Sequence, residues 1–104
     1  MGYRDTYEFS SETKLAALRK TDFCCAECGR HKKETEEGYL QIDHIVPIWF
    51  VIKYAHWLPA SLVSSVFNAE PLCVSCHEHK HRIEDYTDYY PLAQALLGMA
   101  SRVG

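Results

Sequence analysis

At 104 residues, 47% of them hydrophobic and 24% charged, the chain has the size of one domain and can bury only a modest core. A formal net charge of −3 argues against a general electrostatic nucleic-acid binder of basic pI, although the charges are unevenly placed and the field at one face can differ from the total. Five cysteines, with no charged-then-apolar leader in Met1-Gly2-Tyr3-Arg4-Asp5, predict a reducing, cytoplasmic setting in which thiolates hold metal instead of forming disulfides.

In chain order, Ser10-Ser11-Glu12-Thr13 supplies a cap and an early acid. Leu15, Ala16 and Leu18, followed by Arg19 and Lys20, predict an amphipathic helix over about 11–21 that packs over the knuckle after it. That knuckle is Cys25-Ala26-Glu27-Cys28-Gly29, where the glycine permits the tight turn a tetrahedral metal site needs. Cys24 is out of register with Cys28 and is assigned to packing. Arg30-His31-Lys32-Lys33 opens a charged loop without apolar period, which reads equally as solvated surface and as a local phosphate-binding face.

Residues 39–47 read as a strand closed by Pro47, with Leu40, Ile42 and Ile45 toward a core and Gln41 and Asp43 away from it. Asp43-His44 at its end is weak evidence alone, because neighbours on a strand point to opposite faces. The same geometry suits two tasks, one side chain on a metal and the other on a water. Residues 48–67 form an apolar insert, too short and too interrupted by Lys53 and His56 to span a membrane. Two short helices around Pro59 are predicted there, as core or as a surface for a second copy or a protein partner. His56 has no ligand-type residue at helical spacing and is assigned a structural role.

Asn68-Ala69-Glu70-Pro71-Leu72 then leads to Cys73-Val74-Ser75-Cys76-His77-Glu78-His79-Lys80-His81-Arg82. One Cys-x-x-Cys alone reads as a redox pair, half of a disulfide or two buried apolar residues. The upstream copy makes a zinc site of Cys25, Cys28, Cys73 and Cys76 the favoured reading, although residues 29–72 separate the pairs, far more than the roughly 15–20 of a compact ribbon. With a helix starting near Cys76, His77 and His81 stand one turn apart and about 100° from the cysteine direction, so one segment can serve two metals. Pro91 with Leu92, Leu96, Leu97 and Met99 predicts an amphipathic C-terminal helix over about 91–101.

The succession Asp43-His44-Ile45-x-Pro47, Asn68-x-x-Pro71-Leu72-Cys73 and x-x-Cys76-His77-x-x-Lys80 resembles the HNH endonuclease family, in the branch with paired Cys-x-x-Cys knuckles, over roughly Leu18 to Arg82. The resemblance implies an α+β fold: a small zinc-stabilised ββα-metal domain with flanking helices, its core over about 39–82. A two-stranded hairpin would carry Asp43, His44 and Asn68, and the following helix His77. The family pattern makes His44 the general base and Asp43 and His77 ligands of a catalytic Mg²⁺, Mn²⁺ or Ni²⁺. It makes Asn68 either a metal ligand or the holder of the loop that carries His44, and matches the four cysteines to structural zinc ligands. The insert is longer and more apolar than the family's usual link, and His81 is a candidate further ligand of the catalytic ion.

The implied activity is hydrolysis of phosphodiester bonds in nucleic acid, with double-stranded DNA the expected partner. Lys80 or Arg82 would steady the phosphate, while Arg30, Lys32 and Lys33 would contact the backbone further out. A zinc-stabilised nucleic-acid-binding module without nuclease activity explains the cysteines equally well, but gives Asp43, His44 and His77 no chemical task. An adaptor built on the apolar insert is the third reading.

Overall fold

The computed structural model of the chain describes residues 6–83 and 88–103. Helix α1 (Ser11–Lys20) begins where the Ser10 hydroxyl accepts the Thr13 N–H at 3.1 Å, satisfying one of the amides that a helix start leaves open. At its other end the Phe23 N–H reaches the Leu18 carbonyl at 2.8 Å and the Asp22 N–H the Arg19 carbonyl at 3.1 Å, with Asp22 at φ 53. This double closure through a left-handed residue stops the helix and turns the chain into the first knuckle. In α1 only Ala17 is buried, and it packs with Phe9 and Ala69 against the sheet. The helix lies on the sheet, where a small side chain allows its backbone to approach; Leu15 is left exposed.

Strands β1 (Gln41–His44) and β2 (Ala69–Leu72) pair antiparallel, with Gln41 opposite Leu72, Ile42 opposite Pro71, Asp43 opposite Glu70 and His44 opposite Ala69. Residues 45–68 connect them and contain α2 (Ile48–Tyr54) and α3 (Ala60–Val63), each led in by a proline, Pro47 or Pro59. The insert is core. Val46, Phe50, Val51, Ala55, Leu58, Leu62 and Val63 close on Tyr89, Ala93 and Leu96, leaving Ile52 and Trp57 as its large exposed apolar side chains.

Helix α4 (Val74–Ile83) starts two residues earlier than the sequence predicts and packs on both strands. It covers the face opposite α1, since Ile42 joins the Ala17 cluster while the alternating Asp43 meets α4. Helix α5 (Tyr89–Val103) begins ahead of Pro91, which occupies the first turn, where a missing N–H removes no hydrogen bond. Its buried stripe is Tyr89, Ala93 and Leu96; Leu92, Leu97 and Met99 are exposed. The sequence-predicted stripe is thus corrected, because Leu92 and Leu97 are each displaced about 100° from the residues that face the core. No helix among the described residues is long and apolar enough to cross a membrane.

Candidate functional site

The first knuckle is closed by main-chain bonds: the Cys25 N–H donates to the Arg30 carbonyl at 2.8 Å and the Gly29 N–H to the Cys25 carbonyl at 2.9 Å. Gly29 turns at φ 79, a region open to glycine at little cost. The Ala26 N–H donates to the Pro71 carbonyl at 2.8 Å, tying this knuckle to β2 and so to Cys73 and Cys76 just beyond it. The ligand atoms of Cys25, Cys28, Cys73 and Cys76 all lie within 4.8 Å of one another, with Cys25 and Cys73 buried. Sulfurs about 2.3 Å from a tetrahedral zinc stand about 3.8 Å apart, and the Cys28 to Cys73 separation is 3.9 Å.

The thiols are electrostatically unequal. Hydrogen bonds from Arg30 hold the Cys28 thiol down at about 6, and the guanidinium also donates to Cys73 Sγ at 3.7 Å. Burial, reinforced by the neighbouring sulfurs, pushes the Cys76 thiol far above the ordinary range. Four adjacent thiols cannot all ionise by themselves; a divalent ion removes that restriction by pairing with every thiolate. Cys24 stands outside the cluster, its thiol donating to the Asp22 carbonyl at 3.6 Å.

On the α4 side of the sheet, Asp43 Oδ2 accepts from Lys80 Nζ at 2.8 Å and Asp43 Oδ1 lies 3.9 Å from His77 Nδ1. Lys80 also donates to Glu70 Oε1 at 3.3 Å and to the His44 carbonyl at 3.1 Å. One helix thus serves two sites, Cys76 at the sulfur cluster and His77 and Lys80 at Asp43, since consecutive helical residues diverge by about 100°.

On the other face the His44 ring stacks on Phe9, centroids 3.9 Å apart and planes 14° from parallel. His44 Nε2 is 2.7 Å from the Tyr7 carbonyl. A carbonyl can only accept, so Nε2 carries the hydrogen and Nδ1 of the neutral ring keeps its lone pair. Burial pushes the His44 pKa below its usual value, against the raising effect of the Tyr7 carbonyl and of the Glu8 and Asp43 charges. The imidazole is therefore neutral at pH 7, the state that accepts a proton.

Asn68 is fully buried and bound to main chain throughout. Its Oδ1 accepts the Val46 N–H at 2.8 Å, and its Nδ2 donates to the Val46 carbonyl at 3.2 Å and the Val63 carbonyl at 2.9 Å. That geometry holds the segment following His44. Among the described residues, the four cysteines are the one group of three or more metal-ligating side chains that the fold assembles. Family models and curated proteins match nothing in this chain. Its chemistry rests on the residues themselves.

The basic residues fall in three places. Arg30 is at the sulfur cluster, Lys32 Nζ lies over the Phe23 ring at 5.3 Å, and Lys33 is exposed. Lys80, expected at a phosphate, commits its hydrogens to Asp43, Glu70 and the His44 carbonyl, because the two facing carboxylates draw it in. His81 and Arg82 stand on the last turn of α4, and their side chains lie outside the described residues. Sequence reasoning missed Glu70, Phe9 and Tyr7. Glu70 is placed by strand register, and Tyr7 acts through a carbonyl, which every residue carries.

Proposed function

We propose that the chain is a zinc-stabilised nuclease of the HNH kind, hydrolysing phosphodiester bonds of double-stranded DNA. The observation that carries this reading is the division of one dipeptide between the faces of the sheet. Asp43 turns toward His77, while His44 turns to Tyr7 and Phe9, neutral and with Nδ1 as its proton-accepting atom. Both belong to the last two positions of β1.

Asp43 Oδ1 and His77 Nδ1 stand 3.9 Å apart, and these two side chains would hold a divalent ion. One carboxylate and one imidazole, with water completing the shell, suit Mg²⁺, Mn²⁺ or Ni²⁺. Bound there, such an ion would supply positive charge against the phosphoryl oxygens and the leaving 3′ oxygen.

The chain's own residues do the rest. His44 Nδ1 takes a proton from water, producing the attacking hydroxide, and the resulting imidazolium keeps its Nε2–H on the Tyr7 carbonyl. Phe9 holds the ring plane during that transfer. Cys25, Cys28, Cys73 and Cys76 would hold zinc, which would tie the first knuckle to the start of α4 and so steady His77 relative to Asp43. Arg30, Lys32 and Lys33 beside the first knuckle meet phosphates of the duplex and set its position.

The test is nicking of supercoiled plasmid with Mg²⁺, Mn²⁺ or Ni²⁺, comparing wild type, His44→Ala and an EDTA control. Metal-dependent cleavage that disappears in the variant supports the reading. A second reading, a zinc-stabilised nucleic-acid-binding module, draws on the cysteines being the one complete ligand group among the described residues. Zinc-loaded, folded protein that binds DNA and cuts with none of the three ions would establish it instead.

A further inference from the structure

We infer that Lys80 is the resident counter-cation of the Asp43–Glu70 pair and competes with the divalent ion for Asp43, so that Lys80 and Glu70 together set the ion affinity of the site. The inference rests on the reading of Asp43 and His77 as ion ligands. It assigns Lys80 a task other than phosphate contact, and brings in Glu70.

Asp43 and Glu70 are directly opposite each other in the strand pair, and like charges in that position repel. Lys80 answers both. An ammonium has three hydrogens, and here they go to Asp43 Oδ2 at 2.8 Å, the His44 carbonyl at 3.1 Å and Glu70 Oε1 at 3.3 Å. All three acceptors sit at the paired ends of β1 and β2, and the Lys80 side chain is only 20% exposed. The shortest of the contacts is to the carboxylate whose other oxygen faces His77.

A cation on Asp43 Oδ1 draws on the same carboxylate charge that holds Lys80 and repels the nearby ammonium. Two consequences have definite signs. Removing the charge of Lys80 relieves that repulsion and frees Asp43, so ion affinity rises. Removing the charge of Glu70 leaves Asp43 as the sole carboxylate for Lys80 and takes a negative charge from the site, so ion affinity falls. A lysine that merely braced the fold would behave in the opposite way: its loss would loosen Asp43 and weaken ion binding.

The experiment is titration of zinc-loaded protein with Mn²⁺, free ion followed by electron paramagnetic resonance, for wild type, Lys80→Met, Glu70→Gln and Asp43→Asn. Lys80→Met is expected to bind about tenfold more tightly and Glu70→Gln several-fold more weakly, with binding lost in Asp43→Asn. Affinity in Lys80→Met equal to or below wild type overturns the inference while leaving Asp43 as a ligand. Mn²⁺ binding undiminished by Asp43→Asn overturns the ion site itself, and the inference with it. Circular dichroism and zinc content check folding. If Lys80→Met fails that check, Lys80→Gln, which also removes the charge but keeps a polar side chain, replaces it with the same expected sign.

Discussion

Asn68 and Val46 are joined twice: the Asn68 Oδ1 accepts the Val46 N–H at 2.8 Å and its Nδ2 donates to the Val46 carbonyl at 3.2 Å. The side-chain amide thus imitates a strand partner just past the end of the sheet, and a third bond to Val63 ties in the end of α3. Asn68→Ala strands three buried main-chain groups and is expected to cost about 2–4 kcal/mol, read as a lowered urea midpoint. Asn68→Asp is expected to be as damaging, since an ionised carboxylate cannot donate to the two carbonyls. Folded Asn68→Ser that has lost Mn²⁺ binding is the result that would make Asn68 a metal ligand.

Among the described residues the four cysteines are the one group through which a metal would link the first knuckle to α4, so its removal affects ligation and folding together. Zinc content is expected to fall from about one ion per chain to near zero in Cys73→Ser. Cys24→Ser, outside the cluster, is expected to retain the ion. Elemental analysis of both proteins decides the matter; full zinc retention by Cys73→Ser would mean that the four-cysteine assignment is wrong.

His44 gives the pH dependence a definite sign. Burial holds its pKa in the folded protein below the usual value, which is about 6.5 in an unfolded chain. Between those two values the unfolded state binds more protons, so stability is lost as pH falls through the window and is insensitive to His44 above it. The difference in unfolding free energy between wild type and His44→Gln, followed from about pH 7.5 to 5.5, isolates this term from acid release of zinc, which affects both proteins. Nuclease rate is expected to fall on the acid side with a midpoint below about 6.5. A midpoint above neutrality would rule out a buried, neutral His44 as the base.

What the sequence made legible was local. Cys25 and Cys28, or Cys73 and Cys76, identify themselves by spacing within a few residues, and Asp43-His44 by adjacency on a strand. The two short helices around Pro59 follow from one proline between apolar runs. Relationships carried by the long connection are of another kind. Glu70 meets Asp43 only because residues 45–68 return β2 in one particular register, and a shift by one residue would send Glu70 to the opposite face. Lys80 carried the right chemical type but not its destination, since what captures it is the carboxylate pair that this register creates. The exposed face of α5 was misjudged for a related reason: Leu92, Leu96, Leu97 and Met99 are all apolar, and only the partner surface decides which stripe is buried.

That partner surface is the insert, and it yields the sharpest contrast in stability. Phe50 is fully buried, with ring centroids 5.5 Å from Tyr54, 5.5 Å from Tyr89 and 5.1 Å from Tyr90. Truncation to alanine removes apolar area from water-free surroundings and leaves a cavity between α2 and α5, so Phe50→Ala is expected to cost about 3–5 kcal/mol. Trp57, in the same segment, is 45% exposed, and Trp57→Ala is expected to cost less than about 1 kcal/mol. Denaturant unfolding of the two variants measures the difference. Sedimentation velocity on the same samples tests whether the insert also mediates self-association. If it does, Trp57→Ala shifts the wild-type boundary toward the monomer; if the insert acts as core alone, the sedimentation coefficient is the same in both proteins and only Phe50→Ala loses stability.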